Sequence, residues 1–291
     1  MPSSDSSSPM DSSLLDTPFG SVEYAIQGDG FPTLVSHGAA GGFDQALLIA
    51  APLAANGFQL VAPSRDGYLR SPLTATTSPQ SQADKYACLL DRLGIDSCAI
   101  LAVSVGGPSA IEFALRYPSR CRALVLVSSI VAPVRPAYLS ILPEPLLLAF
   151  LQSPTYRFIL LRAPDRILLR LLGVTSKDEL RASCDLRISH ALREVLLAAR
   201  DPQRQRAYGA LADITSTAHL PQYPFADIQM PALAVHGSKD RFAPLRLTAE
   251  AIAAMPHGKI IEVNGAGHLC IITHITEVSH QVARFLRTVV N

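Results

Sequence analysis

The stretch ILAVSVGGPSA, residues 100–110, runs four apolar residues into Ser104 and then a series of small ones. A continuous apolar run of this length is a strand buried on both faces. Gly106, Gly107 and Pro108 open a helix that stops at Pro118. A strand that turns directly into a helix strains the backbone at the junction and requires small neighbours. Ala102 and Gly106, two before and two after Ser104, meet that need, although Ala102 departs from the usual G-x-S-x-G pattern. Two readings fit these five residues: an ordinary turn with a capping serine, or a turn that exposes the Ser104 hydroxyl. In the second, the Val105 N–H faces the same space and can stabilise an oxyanion.

The same alternation extends both ways. The alternating stretch SVEYAIQG, which breaks at Gly28, and short apolar runs at 32–38, 58–67 (closed by Pro63 and Gly67), 98–104, 122–129, 231–237 and 259–263 read as strands. Helical spacing covers 43–57, 81–94, 106–118, 244–254 and 273–288. Strands alternating with helices of ten or more residues predict a parallel sheet covered on both faces. The rhythm changes over 133–225, where helical stretches and prolines occur without a strand. The chain therefore divides into a Ser-rich solvated tail (1–19), a core in two parts (20–132 and 226–291) and an inserted helical segment (133–225). Within the insert, LLLAFL (146–151) and ILLRAPDRILLRLLG (159–173) are strongly apolar. They fit packing of the insert onto the core, an apolar substrate channel, or a face resting on a membrane surface.

The totals exclude several classes. With 291 residues, 48% hydrophobic, the chain can bury a large core. A net charge of +1 offers no field for nucleic acid. Five scattered cysteines without a CxxC pair argue against a zinc site or disulfide framework and for a reducing, cytoplasmic compartment. No run of 18 apolar residues predicts a membrane span.

A serine nucleophile needs a base and a group that orients the base. Asp240 follows the apolar run at 231–237, and His268 lies in a Gly-rich loop after 259–263. Both loops open at the sheet edge where Ser104 lies, the edge at which open parallel sheets bind ligands. Alone, Asp240 is a loop carboxylate and His268 a loop histidine; together with Ser104, each after its own strand, they form a set. The loop SHGAAGG, 36–42, supplies the Ala39 N–H as a second oxyanion donor, with His37 structural. His190 and His219 lack ligand spacing. Cys270 either lines the pocket or is a buried thiol.

The motifs SHGAAGG, APSRDGYLRSP, LAVSVGGPSA, VHGSKDRFAP and NGAGHL resemble the α/β-hydrolase superfamily, from about residue 20 to 291. The resemblance implies an α/β-hydrolase fold: a mostly parallel sheet of about eight strands, helices on both faces and an inserted helical cap. It implies Ser104 as nucleophile, Asp240 as acid and His268 as base. The superfamily's alternative acid position reads Ser128-Ser129 here, which favours Asp240. Arg65 and Asp66 then fall in a structural loop behind the site. The implied function is a serine hydrolase acting on a small or medium apolar ester or lactone, with no metal or organic cofactor. Rivals on the same residues are C–C bond hydrolysis, perhydrolysis, acyl transfer and ligand binding without turnover.

Overall fold

The structure is a computed structural model that describes residues 11–39, 41–134 and 206–290, with residues 146, 153, 155 and 158. Its strands are β1 (Ser13–Leu15), β2 (Val22–Gln27), β3 (Phe31–Ser36), β4 (Phe58–Pro63), β5 (Cys98–Val103), β6 (Cys121–Val127), β7 (Ala232–Gly237) and β8 (Gly258–Val263). The helices are α1 (Phe43–Ala54), α2 (Pro79–Arg92), α3 (Gly107–Arg116), α4 (Ala207–Thr217), α5 (Leu245–Ala254), α6 (Cys270–Thr273) and α7 (Ile275–Val290). One eight-stranded sheet results, in the order β1-β2-β4-β3-β5-β6-β7-β8. From β4 to β8 every pairing is parallel, and the β1–β2 and β2–β4 pairs are antiparallel.

Strand alternation builds two cores. On β5, Ala99, Leu101 and Val103 join one cluster with α1, α6 and α7. Cys98, Ile100 and Ala102 join the other with α2, α3 and α5. Both faces are thus apolar, which is why the run at 98–103 shows no polar alternation. Helix α2 begins where Ser78 and Ser81 cap each other reciprocally and Pro79 takes the first turn.

The expected tail of residues 1–19 needs correction. Residues 13–15 form β1, paired to β2, and Arg70 donates to both the Ser12 carbonyl and its hydroxyl. Three residues are too few to show a period-two pattern, so β1 was not legible. Residues 1–10 lie outside the described residues, as do 159–173, His190 and all of 146–151 except Leu146. Of the inserted segment, α4 is the described helix; it ends ahead of β7. His219 is exposed beyond its end, bonded to the Thr215 carbonyl (3.0 Å).

Candidate active site

Ser104 directly follows β5 and has a left-handed backbone, φ 53°. A short 3-10 turn, Ser104–Gly106, leads directly into α3. The need for small neighbours has a more specific source than the strand and helix themselves. A Cβ on Gly106 would stand 2.4 Å from the Ser36 carbonyl oxygen of β3 and 2.8 Å from the His37 carbonyl. One on Gly107 would stand 2.6 Å from the Ile130 carbonyl. The neighbouring chain segments, packed against the turn, set the limit.

The three candidate side chains form one hydrogen-bonded chain. Ser104 Oγ is 2.8 Å from His268 Nε2, and His268 Nδ1 is 2.9 Å from Asp240 Oδ2. The carboxylate only accepts at Oδ2, so the His268 proton sits on Nδ1 and Nε2 is free to accept from Ser104. Asp240 Oδ1 accepts from the N–H groups of Phe242 (2.9 Å) and Ala243 (3.0 Å). Burial pushes the Asp240 carboxyl up, but hydrogen bonds from His236 and His268 outweigh it and hold the group well below the usual range. Asp240 therefore stays ionised.

His236 was not singled out from the sequence. It is fully buried at the end of β7, with Nε2 2.7 Å from the Ala243 carbonyl and 3.2 Å from Asp240 Oδ2. Its Nδ1 has no hydrogen-bond partner among the described residues. The Nε2–H is thus shared between the Ala243 carbonyl and Asp240.

A cavity of about 240 Å³ opens onto Ser104 and His268. Ile49, Val103, Ile130, Phe242, Leu269 and Ile272 supply apolar walls, and α4 adds Ala210, Ile214 and Thr217. Gly38, Ala39 and Val105 line the same space. No Lys or Arg lines it among the described residues; Asp213 is its carboxylate, and that group is paired to Arg65. Cys270 does not line the cavity. It is buried behind, 3.4 Å from the Ser128 hydroxyl. Arg65 and Asp66 are buried too: Asp66 pairs with the fully buried Lys85 (2.5 Å). Among the described residues no cluster of three metal-ligating side chains occurs.

A family model for the alpha/beta hydrolase fold matches residues 32–275. The chain belongs to this family. Among relatives of this alpha/beta hydrolase is a 2-hydroxymuconate semialdehyde hydrolase of Pseudomonas putida, 27% identical over 89% of this chain and 88% of its own. Another is a pimeloyl-[acyl-carrier protein] methyl ester esterase of Yersinia enterocolitica, 31% identical over 64% of this chain and 67% of its own. A solved alpha/beta hydrolase fold protein from Nakamurella multipartita superimposes with a TM-score of 0.75 at 26% identity, covering 95% of this chain and 99% of that one. The relatives are hydrolases of small molecules or of a carrier-bound ester, so the family supports hydrolase chemistry as a class. No helix among the described residues is long and apolar enough to cross a membrane.

Proposed function

We propose that this alpha/beta hydrolase is a serine hydrolase acting on a neutral, apolar ester or lactone through an acyl-enzyme. The observation that carries the reading is the Ser104–His268–Asp240 hydrogen-bonded chain at the mouth of an apolar cavity. Ser104 Oγ attacks the carbonyl carbon as its proton passes to His268 Nε2. Asp240 holds the imidazole tautomer and stabilises the imidazolium. The N–H groups of Val105 and Ala39 receive the oxyanion; each such donor is typically worth about 2.7–4 kcal/mol. The C–O bond to the leaving alcohol breaks as His268 returns the proton to it. Water, deprotonated by the same imidazole, then attacks the acyl carbon and releases the acid and Ser104. These steps use only the chain's own groups and water.

Relatives at 27% and 31% identity leave bond type open, and the apolar walls of the cavity support an apolar substrate. In this reading residues 133–225 form a cap over the site, supported by the α4 residues in the cavity wall.

The test is a fluorophosphonate probe read by mass spectrometry, with p-nitrophenyl butyrate turnover alongside. Labelling is expected on Ser104, absent in Ser104→Ala and at least 100-fold slower in His268→Ala. Folded protein that neither labels nor turns over would overturn the serine-esterase reading. Faster turnover of vinylogous diketones than of any ester would favour C–C cleavage.

A further inference from the structure

Helix α4 is tied to the loop between β3 and α1 at two points. Arg206, just before the helix, donates to the Gly41 carbonyl (2.6 Å) and pairs with Asp44 (2.6 Å). Two turns on, Asp213 grips the Arg65 guanidinium with both oxygens, Oδ1–Nη1 2.6 Å and Oδ2–Nη2 2.7 Å. Their side chains are only 9% and 8% exposed, and the Tyr68 hydroxyl donates to the same carboxylate. A two-pronged pair of this kind fixes the plane of the guanidinium. What remains of that plane reaches the loop. Arg65 Nε donates to the His37 carbonyl (3.0 Å) and Nη2 to the Gly38 carbonyl (3.3 Å).

His37 completes the grip. Its Nε2 accepts from the Arg65 backbone N–H (2.9 Å), so its proton is on Nδ1, which donates to the Gly38 carbonyl (2.7 Å). Two donors that do not line the cavity thus hold the Gly38 carbonyl. The Gly38–Ala39 peptide is planar and trans, so its N–H, that of Ala39, points the opposite way. Gly38 and Ala39 both line the cavity, and a Cβ on Gly38 would lie 3.4 Å from Ser104 Cβ. Packed apolar residues can replace a buried ion pair without loss of stability. They cannot hold a carbonyl at a set angle.

We propose that Asp213, acting through Arg65, is a positioning residue for the oxyanion hole, so that docking of α4 on the core helps to aim the Ala39 N–H. The inference rests on the serine-hydrolase reading above. It makes helix α4 part of the catalytic apparatus as well as a wall of the pocket.

The test compares the wild type with the double variant Arg65→Met/Asp213→Leu and with Asp213→Asn. The double variant removes both buried charges, which protects folding better than removing one; Asp213→Asn keeps one acceptor for Arg65. Measured quantities are kcat and KM for p-nitrophenyl butyrate, Ki for an aryl trifluoromethyl ketone, and the thermal midpoint. The ketone's hemiketal oxygen occupies the same place as the reaction's oxyanion. Loss of a whole donor lowers kcat by about 10²–10³-fold, so a misaimed one is expected to lower it about 10- to 100-fold. Ki should weaken by a similar factor, KM should stay within about threefold, and Asp213→Asn should fall between. Unchanged kcat and Ki in the folded double variant, whatever its thermal midpoint, would overturn the inference. So would a rise in KM alone, which would make Asp213 a substrate contact. A wild type that neither turns over ester nor labels at Ser104 would overturn the serine-hydrolase reading, and this inference with it. An active wild type with unaffected variants overturns the inference alone.

Discussion

His236 lies one hydrogen bond behind the Ser104–His268–Asp240 chain, and its contribution passes through the Asp240 carboxylate. That carboxylate collects two backbone N–H groups on Oδ1 and two imidazole N–H groups on Oδ2. Each donor helps keep a largely buried anion charged and oriented. A hydrogen bond to a charged group is worth about 1.5–3 kcal/mol. His236→Leu is therefore expected to lower kcat/KM for a nitrophenyl ester about tenfold or more, with Ser104 labelling slowed to match. Steady-state kinetics on folded variant check this; unchanged kcat/KM would show that the backbone N–H groups suffice. Nothing in the run ALAVHG distinguishes His236 from a buried strand residue. Its role appears only when the loop carrying Asp240 folds back over the strand end.

At the scale of elements, the turn from β5 into α3 depends on what lies beside it. Gly106 faces backbone oxygens of β3 and the following loop, which cannot rotate away as a side chain could. Gly106→Ala should therefore separate the turn from β3, at about 1–3 kcal/mol of overpacking strain. Activity should fall with it, because β3 leads directly into the loop bearing Ala39. Ala102→Gly, by contrast, should cost only about 0.5–1 kcal/mol in a strand, with turnover kept. Urea unfolding and ester turnover on the two variants separate the cases. Equal losses in both would mean that the clash with β3 relaxes freely. The strands and helices of this region were legible because each carries its own period and stop signal. The short β1 and the role of α4 were not. Three residues show no period, and Asp213 meets Arg65 across 148 positions of chain.

For the whole molecule, buried ionisable groups make stability depend on pH. His37 is fully buried; burial first, then the Arg65 charge, push its imidazole well below its ordinary value. In the unfolded chain it titrates near about 6.5. Between that value and the lower folded one, the unfolded state binds more protons, so stability falls as pH drops through the window. The slope for one such group is at most about 1.4 kcal/mol per pH unit. Asp240, held low by its hydrogen bonds, adds a further loss below about pH 4, where its unfolded form takes up a proton. The urea midpoint should be level between about pH 7 and 8 and decline from about pH 6.5 downward. In His37→Asn the slope between pH 6.5 and 5 should be shallower, whatever the variant's absolute stability. An unchanged slope would assign the decline to other groups.

Composition and periodicity by themselves determined a largely parallel sheet covered on both faces, the succession of its strands from β2 to β8 along the chain, and the strand ends after which Ser104, Asp240 and His268 stand. These are local properties: an apolar run, a stop residue and a polar side chain just past a strand end are all set within a few positions. The tertiary structure alone decided how those side chains meet. It brought Ser104 to His268 across 164 positions and placed His236 behind Asp240. It also joined α4 to the Gly38 carbonyl through Arg65. Hydrogen bonds require atoms within about 3 Å at a set angle, and only the packed sheet and helices fix distances on that scale between residues far apart in the chain.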